Sequence, residues 1–185
     1  MNWYNLHTEN SIDTPALLVY PDRIRQNIEV LKSMIDDPHR LRPHVKTHKT
    51  KEILQLQLDA GIRKFKCATI AEAEMLGQGG APDVLLAYPM YGPKVYRFIA
   101  LIEKYEQTKY AALVDNVDAA HSLSEAAAQH NVCVDVFIDL NIGMGRTGIL
   151  PGDDALKLYR LCAELPGIVI QGFHAYDGHV REINL

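Results

Sequence analysis

The chain has 185 residues, 48% of them hydrophobic and 23% charged, with a formal net charge of −4. That length suits one domain with a sizeable core, the composition excludes a disordered chain, and the slight acidity gives no reason to expect a nucleic-acid partner. No apolar run approaches the roughly 18 residues of a membrane span, and the polar start MNWYNLHTENSID lacks the apolar core of a signal peptide. Cys67, Cys133 and Cys162 are odd in number and form no CxxC pair. They read as reduced structural thiols of a cytoplasmic protein.

The first element is ALLVY (16–20), short, apolar and strand-like. A helix follows in PDRIRQNIEVLKSMID, with Pro21 in its first turn and Ile24, Ile28 and Leu31 at helical spacing. LRPHVKTHKT (41–50) then alternates Arg42, His44, Lys46 and His48 with other residues, which reads as a strand with one polar face. TKEILQLQLDAG is a helix closed by Gly61, and KFKCA a strand. TIAEAEMLGQGG is a helix in which Thr69 and Glu72 have the spacing of a capping box. Strand DVLLAYP, helix PKVYRFIALIEKYEQ, strand YAALVD, helix VDAAHSLSEAAAQHN, strand CVDVFIDL, helix GDDALKLYRLCAEL and strand IVIQGFHAY complete the series.

Six strands are thus expected near 41–47, 64–68, 83–88, 110–114, 133–140 and 168–175, with 16–20 as an outlying one. Apolar strands alternating with helices predict an α/β fold with a parallel sheet, either doubly wound or a (β/α) barrel. A barrel of TIM type needs eight units and about 250 residues, so six units make an incomplete one.

In both parallel architectures functional side chains gather where strands end. Those ends hold Lys46, His48, Tyr88, Asn141, Arg146, Tyr176, Asp177 and His179, more than ordinary turns need. Lysine forms Schiff bases, and burial or nearby cations favour its neutral amine. Arg42, Lys49 and Lys51 are the expected neighbouring cations of Lys46. A solvated basic loop is the plainer alternative. GMGRTG (143–148) is formally G-x-G-x-x-G but follows the fifth strand, and Pro151-Gly152 delay the next helix. It therefore reads as a turn presenting Arg146 rather than a dinucleotide site. HAYDGH (174–179) contains metal-ligand types, yet His-x4-His suits one helix face and this text reads as strand and loop. Met144 reads as a core or turn residue.

RPHVKTHK, GIRKFKCATIAEAEML, GAPDVLLAYPMYG, VFIDLNIGMGRTGI and GFHAYDGH together resemble the D-threonine aldolase and D-serine dehydratase family over residues 12 to about 179. These are pyridoxal 5′-phosphate (PLP) enzymes with the alanine-racemase-like barrel of fold type III. The resemblance implies a Schiff base between PLP and Lys46, Arg146 near the phenolic oxygen of the cofactor, and Tyr176 beside its ring. It places His44 and His179 near the site. It implies that residues 1–185 are a partial PLP-binding barrel domain whose leading strand 16–20 pairs with a C-terminal β-domain absent from this sequence. That domain would supply the divalent metal (Mn, Zn or Mg), so no metal ligand is expected in this chain.

The expected activity is cleavage of a D-β-hydroxy-amino acid to glycine and an aldehyde, with full-length members pairing as homodimers. A dehydratase, a racemase, a non-catalytic PLP-binding protein and a nucleotide-binding module are the alternatives. A chain about half the family length is expected to be a fragment with weak PLP binding or turnover.

Overall fold

Strands form where apolar runs meet turn residues, and five of the six expected between 41 and 175 do so: β1 (Lys64–Cys67), β2 (Asp83–Leu86), β3 (Lys109–Val114), β4 (Val134–Leu140) and β5 (Ile168–Ala175). The computed structural model describes residues 3–6 and 8–181. Helices α1 (Pro21–Ser33) and α2 (Lys51–Asp59) precede β1. Helices α3 (Ile70–Gln78), α4 (Pro93–Lys104), α5 (Val117–Gln129) and α6 (Asp153–Glu164) connect the strands. The sheet is parallel, and its strands lie in sequence order, β1-β2-β3-β4-β5. A doubly wound sheet would reverse direction part-way. Sequential order with connections of one hand instead gathers the helices on one face, which is the arrangement of a barrel, here a partial one.

Alternation along the strands assigns the two faces. Val84, Leu86, Ala112, Val114, Val136 and Ile138 turn to the helices and join Leu76, Phe98, Leu123 and Leu158 in the main core. Phe98 meets Tyr110 edge to face with ring centroids 5.8 Å apart, worth about 1 kcal/mol beyond burial. The inner face holds the small apolar group Leu85, Ala111 and Leu113. Lys66 pairs with Leu85 in register, Asp135 with Ala111, and Asp139 with His174. These polar residues therefore share the inner face.

Local signals explain the helix starts. Thr69 caps α3 by accepting the N–H of Glu72 at 3.1 Å, and the Glu72 carboxylate returns to the N–H of Ala68 at 2.8 Å. This reciprocal pairing satisfies donors that a helix start leaves open. Asn116 caps α5 through the N–H of Ala119, and Pro21 and Pro93 stand in the first turns of α1 and α4.

Two expected strands differ. The segment 41–47 is reduced to one bridge, His44 beside Lys66, with the Lys66 N–H donating to the Pro43 carbonyl at 2.9 Å. Pro43 has no N–H to offer a ladder. The His44 ring then accepts the Lys46 N–H at 3.1 Å, and Val45–Thr47 close into a 3-10 turn. Residues 16–20 form no strand, and Leu17 is 84% exposed. A strand needs a neighbour to take its backbone bonds, and no described residue supplies one there.

Candidate active site

Lys46 stands in the Val45–Thr47 turn, past the C-terminal end of the first sheet position. Val45, fully buried, anchors the turn, while Lys46 is exposed. Its ammonium makes no hydrogen bond or ion pair among the described residues. The predicted polar row breaks after His44. Arg42 forms an ion pair with Asp83 at the start of β2, Nη2 to Oδ2 at 3.2 Å, at the opposite end of the sheet. The ring of His48 turns back to accept the N–H of Thr50 at 3.3 Å. Lys49 lies 3.8 Å from the Glu72 carboxylate, and Lys51 donates to Gln78 at 3.2 Å. Each of the three cations expected around Lys46 is thus engaged with another partner.

The loop after β4 carries Arg146. Asn141 Oδ1 accepts the N–H groups of Gly143 and Gly145 at 3.1 and 3.0 Å, which curls the chain tightly about one side chain. The loop returns to the strand: Ile149 N–H donates to Asp139 O, and Asn141 N–H to Ile149 O, both at 2.9 Å. GMGRTG therefore ends in a pinned turn, and α6 begins only at Asp153. Arg146 lies over the Tyr176 ring, 5.2 Å from its centroid. Arg146 and Tyr176, with Asp139, Met144 and His174, line a small pocket. His179 packs against Gly143, where a Cβ would stand 2.5 Å from its Nε2. It thus serves the loop carrying Arg146 rather than facing that pocket. His174 and His179 diverge, and among the described residues no three His, Cys, Asp or Glu side chains gather as a metal site. Tyr88 sits under Lys94 at 5.8 Å and borders a separate pocket beside Met90.

Sequence reading missed an inner-face network. Lys66 Nζ is 2.8 Å from His174 Nε2, His174 Nδ1 is 2.7 Å from Asp139 Oδ1, and the Thr147 hydroxyl donates to Asp139 Oδ2 at 2.9 Å. Asp139 is only 3% exposed. Lys66 also lies 5.7 Å from the centroid of the Tyr176 ring. Lys66 was detectable in KFKC, where lysines alternate with buried Phe65 and Cys67, because a strand inside a barrel turns every second residue inward. Its partners stand 73 and 108 positions away, and nothing local announces them.

The electrostatics follow from this crowding. Burial pushes the Lys66 ammonium below its usual range. Asp139 opposes the shift, while Lys46, Arg146 and Arg42 add to it. His44 falls from 6.5 to about 4, first through burial, then through repulsion by Lys46 and Lys66. Its folded pKa lies below the unfolded one, so between those values the unfolded chain binds more protons. The stability gained from neutral His44 is complete above about 6.5 and is lost as pH falls toward 4. Urea unfolding at pH 7 and pH 4.5 checks this: wild type should lose more stability on acidification than His44→Gln, whereas equal losses would contradict it.

A parallel βα barrel segment with a lysine and an arginine at its strand ends defines a class of site. The comparisons identify the family. The family described as "Alanine racemase, N-terminal domain" matches residues 19–184, and this chain belongs to it. It is similar to D-threonine aldolase of an Arthrobacter species, 30% identical over 173 residues that cover 92% of this chain and 45% of the relative. It is likewise similar to 3-hydroxy-D-aspartate aldolase of Paracoccus denitrificans, 28% identical over 178 residues covering 95% and 46%. The crystal structure of D-threonine aldolase from Filomicrobium marinum superimposes with a TM-score of 0.83 at 30% identity, over 91% of this chain and 45% of that one. The chain thus spans about half the length of the relatives it matches. No helix among its described residues is long and apolar enough to cross a membrane.

Proposed function

We propose that this chain carries the lysine-bearing part of a PLP-dependent lyase for D-β-hydroxy-amino acids, one that cleaves a D-threonine-like substrate to glycine and an aldehyde. The observation that supports this most is Lys46, an amine at the strand ends without a hydrogen-bond partner among the described residues, near Lys66, which Arg146 also approaches. The residues present fit the reacting end of PLP: an amine for its aldehyde carbon, a guanidinium for its phenolate, and the Tyr176 ring for its pyridine face.

When bound, PLP supplies an electron sink for the pair released as a bond to the substrate α-carbon breaks. Lys46 would hold the cofactor and release it to the substrate amine. Arg146, already fixed over Tyr176 by the Asn141 turn, would hold the phenolate oxygen without further ordering. His44 stays neutral at pH 7 and so adds no cation beside Lys46. Cleavage also requires a base for the β-hydroxyl proton. The names of the aldolase relatives agree with this chemistry.

The test is incubation with PLP and D-threonine, 3-hydroxy-D-aspartate, D-serine or L-alanine, with and without Mn²⁺. Glycine formed from either of the first two supports the lyase. Pyruvate from D-serine alone replaces it with a dehydratase, and racemised alanine alone with a racemase.

A further inference from the structure

Lys46 and Lys66 lie near enough to repel each other, and they are held differently. Lys46 is exposed and has no hydrogen-bond partner among the described residues. Lys66 is half-buried and ends on His174, which ends on Asp139. A buried carboxylate only accepts, so the Nδ1 of His174 carries a proton. In the neutral ring the Nε2 lone pair then faces Lys66. The proton between Lys66 Nζ and His174 Nε2 has two positions. In one, an ammonium donates to a neutral ring. In the other, an imidazolium held by Asp139 donates to a neutral amine. Both keep every hydrogen bond, so the exchange needs little rearrangement.

We propose that Lys66 is a second proton-transfer residue of this site, a base for the substrate hydroxyl group, poised by the positioning residues His174 and Asp139. The identity of that hydroxyl rests on the lyase reading above. The Lys66 ammonium first gives its proton to His174 Nε2, and the neutral amine then takes the β-hydroxyl proton. The hydroxyl oxygen becomes a carbonyl as the Cα–Cβ bond breaks and its electron pair passes to the α-carbon side. The proton on Lys66 goes to that carbon to complete glycine, and His174 returns its own proton to Lys66. Protons and electrons balance without an oxidant or a second reactant.

The groups facing Lys66 fit this role. His44 and Lys46 approach from the turn, Asp139 and Arg146 from β4 and its loop, and His174 and Tyr176 from β5, while Arg42, paired with Asp83 at the other end of the sheet, contributes only its charge. Burial and the cations Lys46, Arg146 and Arg42 favour the neutral amine, while Asp139 retains the proton within the network.

Side-chain NMR of isotope-labelled lysines, recorded across pH on the chain without cofactor, tests the relay. The Lys66 signal should titrate below those of exposed lysines such as Lys157. Asp139→Asn should lower its midpoint further, and Lys46→Met should raise it. With PLP and D-threonine, Lys66→Met should cut turnover about 100-fold, the usual scale for one acid–base group, while leaving the reducible adduct on Lys46. Lys66→Arg keeps the charge and the hydrogen bond but cannot exchange the proton, so it should not rescue turnover. Rescue by arginine, turnover unchanged in Lys66→Met, or a Lys66 midpoint equal to that of Lys157 would overturn the proposal. The cofactor-free titration decides the relay even where no adduct forms on Lys46, and that second result speaks only against the lyase reading.

Discussion

Replacing Lys46 by methionine is expected to lower the turnover of the PLP-loaded protein by on the order of a thousandfold or more, because the residue proposed to hold the cofactor and release it to the substrate is lost. The same change should alter stability by no more than about 0.5 kcal/mol. Lys46 is exposed, its ammonium has no hydrogen bond among the described residues, and the turn is held by buried Val45 and by the His44 ring on the Lys46 backbone N–H. That bond is made by main chain and survives the substitution. Turnover assays paired with chemical denaturation read both quantities. Loss of activity with an unchanged unfolding midpoint is the expected pair. A variant that keeps its activity would remove Lys46 from the chemistry.

The second large effect concerns the loop that carries Arg146. Gly148→Ala is expected to destabilise the protein by about 2–4 kcal/mol, combining backbone strain with overpacking. Gly148 has φ +99, and a Cβ there would stand 2.6 Å from Asn141 N and 2.7 Å from Leu140 C. Those are backbone atoms at the end of β4, which cannot swing aside as a side chain would. The loop must lift instead, loosening the Gly148 N–H bond to Asp115 at 3.1 Å and the neighbouring Thr147 bond to Asp139. Gly145→Ala is the control: φ is +64 and no atom lies within 4 Å of the added carbon, so only about 1–2 kcal/mol of left-handed strain applies. Denaturant midpoints of the two variants measure the contrast. Equal losses would show that the close approach to β4 carries no weight.

These effects also show what the sequence made legible. Helix α3 could be placed from Thr69 and Glu72 because capping is local chemistry, completed within three residues. Strands β2 to β5 could be placed because continuous apolar runs such as Val84–Leu86 have few alternatives in an α/β chain. The segment 41–47 misled for a definite reason: alternation predicts a strand only if the backbone can pair, and Pro43 and the His44 ring divert it into a turn. Arg42 was assigned to the inward row beside Lys46, but its partner is Asp83, 41 residues later, at the other end of the sheet. The segment 16–20 has strand composition without a neighbour to complete it.

The chain Lys66–His174–Asp139–Thr147 was invisible for the opposite reason. Each residue is ordinary in its own stretch, and only the curvature of the sheet brings the Lys66 amine of β1 within 2.8 Å of the His174 ring of β5. The approach also explains why the cations near Lys46 were misidentified. Sequence proximity nominated Lys49 and Lys51, whereas the fold delivers Lys66.

The central claim is that Lys46, among the chain's lysines, holds the cofactor. Its most direct test is to add PLP, reduce with borohydride and map the modified peptides. The account predicts one dominant pyridoxyl adduct, on Lys46, absent after Lys46→Met. An adduct on Lys66 instead, or modification spread evenly over the exposed lysines, would contradict it.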